Sequence, residues 1–267
     1  MGAVQRGLGR GVLRPAAAPD RFSLRRHEPP ADLAPFVDFC WVIRWDLRGA
    51  APHEQQVLPH PNVNLAFEDA GAHVYGVDTK IFTRRLTGRG QALGVRFRSG
   101  GFRPFCAVPV AALNDRVVPV RDFFGPAADQ AGRAVMAAAD DDAGMIAAAA
   151  AMLRSLAPGP GETAALVAAI VARITGDHEI RRVSQLTAEF GVPERQLQRL
   201  FTEYVGVSPK WVMRRARLHE AALRADAGEP VNWARLAADL GYADQAHLSR
   251  DFTATLGVSP ARYAASR

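Results

Sequence analysis

Residues 197–209 read LQRLFTEYVGVSP, and residues 248–260 read LSRDFTATLGVSP. A constant offset of 51 residues pairs Leu197 with Leu248, Arg199 with Arg250 and Phe201 with Phe252. It also pairs Gly206-Val-Ser-Pro209 with Gly257-Val-Ser-Pro260. Repetition at such a period marks a duplicated structural unit. Each copy follows a short helical segment that ends in glycine: Leu186-Thr-Ala-Glu-Phe-Gly191 and Leu236-Ala-Ala-Asp-Leu-Gly241. The order is helix, tight turn, helix, twice over. That is the helix-turn-helix pattern, whose second helix enters the DNA major groove.

The first unit is expected at about 183–204. Val183, Leu186 and Phe190 give its supporting helix an apolar face, and Glu194–Tyr204 is the second helix. There Leu197, Leu200, Phe201 and Tyr204 form the buried stripe. Arg195, Gln198, Arg199 and Thr202 lie off it. Arg is suited to guanine edges and Gln to adenine. The second unit is expected at about 233–255, with Asp244 as helix cap. Leu248, Phe252 and Leu256 bury, while Gln245, His247, Ser249 and Arg250 can face out. Between the units a helix of about 210–226, opened by Pro209, carries an apolar seam of Trp211, Leu218, Ala222 and Ala225. Its length of ~24 Å suits two recognition helices held about one DNA turn apart. Arg199 and Arg250 have a second reading, as surface charges or braces to carboxylates, and His247 as a plain solvent-facing side chain.

Residues about 163–267 resemble the DNA-binding domain of the AraC/XylS family of bacterial transcription regulators. The stretches LQRLFTEYVGVSPKWVMRRARLHEAAL and LAADLGYADQAHLSRDFTATLGVSPARY carry the likeness. The resemblance implies two helix-turn-helix subdomains joined by a linker helix and reading successive major grooves of promoter DNA, with RNA polymerase a further partner. It places the family's base-reading positions on Arg195, Gln198 and Arg199, and on Ala246, His247 and Arg250. Pro193 departs from the Ser or Thr usual at the first recognition helix's cap, and Thr187 from a common Ala. Ala246 replaces a frequent polar residue and retains only an apolar or thymine-methyl contact.

The chain has 267 residues, two cysteines and a net charge of +6. That length suits about two domains. Residues 1–30 carry six Arg against one Asp and one Glu, residues 31–159 are balanced, and residues 160–267 carry 14 basic and 12 acidic groups. The DNA-binding case therefore rests on pattern rather than on charge. No apolar run reaches the ~18 residues of a membrane span, and the N-terminus lacks a secretory h-region, so a cytoplasmic protein with no membrane partner is expected. Cys40 and Cys106, with no CxxC, suit a reducing compartment and read as buried small hydrophobes.

Residues 1–21 read as a disordered basic tail. Residues 22–125 are strand-like. Phe39, Trp41, Ile43, Trp45 and Leu47 alternate with Cys40, Val42, Arg44 and Asp46. Further alternation runs through Val63–Phe67 and Leu93–Phe97, with shorter strands at His73–Val77 and Ile81–Leu86. Turns are expected at Asp69-Ala-Gly71, Val77-Asp78 and Gly88-Arg-Gly90. These elements suggest a small barrel or sandwich. Residues 126–160 follow as alanine-rich helices, a connector or dimerisation element. The Pro158-Gly-Pro-Gly161 break then opens the C-terminal domain, residues 161–267. The fold class expected is α+β.

VLPHPNVNLAFE, TRRLTGRGQALGVRFRSGGFRPF and LNDRVVPV resemble the sensing module of one AraC-type subgroup, which implies a cupin-like barrel holding an effector. Trp41, Trp45, His60, Asn64, Phe67 and Arg96 are the candidate pocket residues. The alternative makes Trp41 and Trp45 core and puts His60 in a turn between Pro59 and Pro61. No catalytic residue, cofactor or metal is expected. His27, His53, His60 and His73 lack ligand spacing, and GxSxG, P-loop and HExxH are missing. The function expected is a DNA-binding transcription regulator whose front domain senses a small-molecule effector or mediates self-association as a homodimer. The alternative is a small-molecule-binding barrel with a helical protein-interaction domain.

Overall fold

The computed structural model describes residues 11–14, 21–156, 159, 161–177, 179–227 and 230–265. The chain is α+β, with an antiparallel sheet region followed by helices. Among the described residues eight strands precede the α-helices: β1 Ser23–His27, β2 Val37–Leu47, β3 His53–Val57, β4 Asn64–Glu68, β5 Gly71–Tyr75, β6 Phe82–Leu86, β7 Gly88–Phe97 and β8 Val117–Pro119. They form a six-stranded sheet in the order β1-β2-β7-β4-β5-β8 and a separate β3-β6 ribbon. All these pairings are antiparallel.

The sheet alternates cleanly because its two faces meet different neighbours. Cys40, Val42, Leu65, Phe67, Leu93 and Val95 lie on one face and are buried. They pack against α1 Arg121–Phe124, α2 Ala127–Ala137 and α3 Asp142–Leu156, through Val135, Met145, Ala149 and Leu153. The start of α3 is tied to the sheet by Asp142, which accepts from Arg44 at 2.6 Å and Arg25 at 3.2 Å and pairs with His27 at 2.7 Å. Burial by itself would raise this carboxyl; Arg44, His27 and Arg25 outweigh it and hold it below the usual carboxylate range.

The expected barrel is not closed. Among the described residues, the β3-β6 ribbon shares no ladder with the larger sheet and faces it as a second layer. The link from β3 to β4 is Leu58-Pro-His-Pro-Asn-Val63, and its two prolines have no N–H to donate to a ladder. Gly88–Gly90, expected as a turn, opens β7 instead. Of the expected tail, residues 1–10 and 15–20 lie outside the described residues. Gly11–Arg14 does not behave as a tail: Val12 bridges Val57, and Leu13 is 6% exposed.

Among the described residues, seven further α-helices follow. They are α4 Glu162–Gly176, α5 Val183–Phe190, α6 Glu194–Leu200, α7 Pro209–Asp226, α8 Trp233–Asp239, α9 Gln245–Leu256 and α10 Pro260–Ala265. A π-turn, Phe201–Val205, continues α6. One apolar cluster joins α4, α5, α6 and the start of α7, around Ile170, Leu186, Leu197 and Phe201. Another joins the end of α7 to α8, α9 and α10, around Leu218, Ala237, Phe252 and Tyr263. The helix α7 therefore belongs to both.

Candidate functional site

Two features stand out: the exposed faces of α6 and α9, and a cavity between the two sheet layers. The turn before α6 is made by Gly191 at φ 64°, and that before α9 by Gly241 at φ 72°. Both lie in the left-handed region, where a Cβ is penalised. After each turn the burial pattern repeats at the 51-residue offset. Leu197, Leu248, Phe201 and Phe252 are wholly buried, and Arg199 and Arg250 are exposed. Arg195, Ala246 and His247 are exposed too, while Gln198 is half-buried. Among the described residues, no side chain bonds or pairs with the guanidiniums of Arg195, Arg199 or Arg250. Each helix thus keeps its aromatic anchor inside and leaves cationic donors outside.

The two units differ in how they are held. Asp244 caps α9, its Oδ1 accepting from the His247 backbone N–H at 2.6 Å. Pro193 stands at the α6 cap and makes no side-chain bond. The first unit is instead braced to the front half. Asn114 donates to the Gly206 carbonyl at 2.7 Å, and Arg103 bonds Glu203 at 3.1 Å. In the second unit Asp251 accepts from the Tyr242 hydroxyl at 2.8 Å and from Arg214, tying α9 to α7. Burial, then the neighbouring Asp251 carboxylate, push the Tyr242 phenol up.

The cavity has a volume of about 230 Å³. Five of the six candidate pocket residues line it: Trp41, Trp45, His60, Asn64 and Arg96. Phe67 does not. It points to the opposite face and is wholly buried in the helix-backed core. Strand alternation explains the split, because Asn64 and Phe67 are three apart in β4 and must point to opposite sides. Trp41 and Trp45 face the cavity rather than forming core. The sheet makes room for them: Gly94 pairs with Trp41 and Gly90 with Trp45 across β2-β7. A Cβ at Gly94 would lie 1.9 Å from the Trp41 ring, and one at Gly90 would lie 2.3 Å from the Trp45 ring. Each indole therefore lies on bare backbone.

Other lining residues were not singled out in the sequence: Arg26 in β1, Glu68 in β4, Tyr75 in β5, and Phe82 and Arg84 in β6. Arg26 sits in a short, polar edge strand whose sequence marks no clear face. Arg84 donates to Glu68 at 2.5 Å across the layers. Asp78, at the cavity wall, is pushed up to about 6 by burial and then by Asp115. Among the described residues no group of His, Cys, Asp and Glu could hold a metal ion, and no helix is long and apolar enough to cross a membrane.

The cavity wall touches α7. Thr79, beside Asp78, accepts from Arg215 through its carbonyl at 2.8 Å, and the carbonyl of Pro59 lies 3.2 Å from His219 Nε2. The His60 and His219 rings stack with centroids 3.8 Å apart. Arg215 is 5% exposed and lies over the Trp211 ring at 4.5 Å.

Residues 186–266 match the model of a helix-turn-helix domain family, and residues 25–119 match a domain of unknown function, DUF6597. No curated protein is significantly similar. Among solved structures, ToxT from Vibrio cholerae at 1.65 Å resolution aligns at 10% identity over 91% of this chain and 97% of that one, with a TM-score of 0.41. Unsaturated fatty acid bound wild-type ToxT from Vibrio cholerae strain SCE256 aligns at 10% identity over 92% and 91%, also at 0.41. A likeness this slight transfers neither a ligand nor a contact.

Proposed function

We infer, from a C-terminal region that is a helix-turn-helix domain of the AraC type, that this DNA-binding transcription regulator reads promoter DNA with α6 and α9 and takes a small-molecule effector in its interlayer cavity. The observation that carries the DNA half is the repeat itself. Arg199 and Arg250 recur in register on exposed faces, above buried Leu and Phe anchors. Among the described residues nothing bonds these guanidiniums, which leaves their donors for base edges and phosphates. Arg195, Gln198, Ala246 and His247 border them on the same two helices. The effector half rests on a cavity walled by aromatic rings with a few polar groups, the usual make-up of a ligand site. A cavity wall that bonds α7 offers a route by which occupancy biases the helix joining both units.

The test uses genomic fragments selected by the full chain. Arg199→Ala and Arg250→Ala should each weaken binding to the selected fragment by about 1–3 kcal/mol at fixed salt, with melting temperature unchanged. Wild-type affinity in both variants would remove these helices as the reading surface. Binding that is insensitive to salt would argue instead for a helical domain serving protein contacts.

A further inference from the structure

The two helix-turn-helix units are built alike, but their turn glycines are surrounded differently. A Cβ at Gly191, ahead of α6, would meet nothing within 4 Å. A Cβ at Gly241, ahead of α9, would lie 2.7 Å from Nε of Arg181, 2.9 Å from its Cδ and 3.2 Å from its Cζ. The Arg181 side chain therefore lies on the turn backbone of the second unit. Its own backbone belongs to the first unit, in the link from α4 to α5. Besides sharing α7, the two units meet here.

The link that carries Arg181 is firmly held. Gln185 Oε1 accepts from the backbone N–H of Arg181 at 2.8 Å and from that of Arg182 at 2.9 Å, and its Nε2 donates to the Glu179 carbonyl at 3.1 Å. Asp177 Oδ1 accepts from the Glu179 N–H at 2.8 Å, and Ile180 is buried in the first unit's cluster. Arg181 itself is exposed, and among the described residues no side chain bonds or pairs with its guanidinium. A fold brace would hold a carboxylate or a carbonyl; this side chain presents a positioned charge to solvent. The repeat does not demand a cation here, because Val231 precedes α8 as Arg181 precedes α5.

The location points to DNA backbone. Gly241 stands just ahead of Asp244, the cap of α9, and the N-terminal end of a recognition helix is the end that reaches base edges. The first helix of such a unit, here α5, crosses the sugar-phosphate backbone. Arg181 sits where the approach to α5 meets the approach to α9. With α6 and α9 in successive major grooves, the backbone between those grooves runs past this junction.

We propose that Arg181 binds a phosphate of the DNA backbone between the two half-sites, so that one guanidinium joins the first unit, the second unit's turn and the DNA. This rests on the reading of α6 and α9 as the DNA-binding surface and adds a contact outside both helices. A guanidinium presents a planar fork of donors that matches phosphate oxygens, and the seat on Gly241 holds that fork in place. Such a contact sets the register of the protein on the duplex without reading sequence.

The experiment measures affinity of the full chain for the selected fragment and for a scrambled fragment of the same length, across a salt series. Arg181→Met keeps an unbranched chain on Gly241 and removes the charge. It should weaken binding to both fragments by the same factor, with melting temperature unchanged. The slope of log affinity against log salt should become shallower by about one, so that the wild type's advantage shrinks about threefold between about 50 and 200 mM salt. Arg181→Lys should restore the slope. Arg89→Met, which removes an exposed charge from the front half, should leave it as in the wild type. An unchanged slope in Arg181→Met, or no recovery in Arg181→Lys, would overturn the proposal. So would an equal change in Arg89→Met, which would show charge acting at a distance, or a loss confined to the selected fragment, which would make Arg181 part of base reading. Should Arg181→Met melt lower than the wild type, Arg181→Gln repeats the comparison under the same criteria. The two readings fail separately. Salt-insensitive binding by the wild type would remove the DNA reading itself, whereas a steep wild-type slope unaltered in Arg181→Met would remove only the phosphate contact.

Discussion

Asp78 shows how single groups in this fold carry measurable consequences. Burial, then Asp115, hold its carboxyl at about 6 in the folded chain, against ~3.9 in an unfolded one. The folded state therefore binds this proton more tightly. The stability it confers is full below about pH 4 and is lost as pH rises through 6. Asp78→Asn should accordingly melt higher than the wild type at pH 8, by about 1 kcal/mol after allowance for partial exposure, and the gain should fade between pH 6 and 4. Equal melting curves at pH 8 would show that solvent reaches the group freely. Single residues were also where sequence reading was most uneven. Arg199 and Arg250 could be placed outside because the repeat supplied two independent copies of one pattern. Arg26 and Arg84 could not be placed, because short polar strands such as Ser23–His27 carry no hydrophobic alternation from which to infer a face. The indole positions of Trp41 and Trp45 depended on glycines in a different strand, a non-local fact that no window of sequence contains.

At the scale of elements, periodicity located the helices well because each has one buried stripe. The Phe39–Leu47 alternation gave β2 correctly, but not which face was core: Cys40 and Val42 bury against helices, while the aromatic face lines the cavity. Alternation says that two faces differ, and only tertiary packing decides which is dry. The ribbon strand β3, His53-Glu-Gln-Gln-Val57, was missed because its polar sequence argues against a strand. The helix α9 offers a sharp test of its own stripe. Phe252 is wholly buried, meeting Tyr263 at 5.5 Å and Trp233 at 6.4 Å between ring centres. Phe252→Ala should remove these contacts and cost about 3–5 kcal/mol. The loss should appear as a lowered melting temperature, whereas Arg250→Ala, two residues away on the exposed face, should leave melting unchanged. An unaltered melting point for Phe252→Ala would mean that the helix presents a different face to its core.

Across the whole molecule, the front half and the helical half share their interiors. Val77 is packed in the cluster of the first helical unit, and Leu13 and Leu58 in that of the second; Val77 and Leu58 are wholly buried there. Arg215 adds a hydrogen bond from α7 to Thr79. A division at the Pro158–Gly161 break, where Pro158 and Pro160 lie outside the described residues, nevertheless leaves most of each helical cluster on one side. A fragment from Gly161 to Arg267 should therefore fold, because Ile170, Leu186, Leu197, Phe201, Phe252 and Tyr263 all remain. It should melt below the full chain, since removing Leu13, Leu58 and Val77 bares apolar surface on α7 and its neighbours. It should still bind the selected DNA fragment, more weakly than the full chain if residues 1–160 hold two copies together, through loss of effective concentration. Titration of both chains at one salt concentration, with sedimentation of each, separates these effects. A monomeric full chain should lose little affinity on truncation, and a dimeric one should lose much. A fragment that folds but binds all sequences alike would show that α6 and α9 are set in register by the front half. The contacts of Asn114 with Gly206 and of Arg103 with Glu203 would then be part of the DNA-reading apparatus rather than a brace behind it.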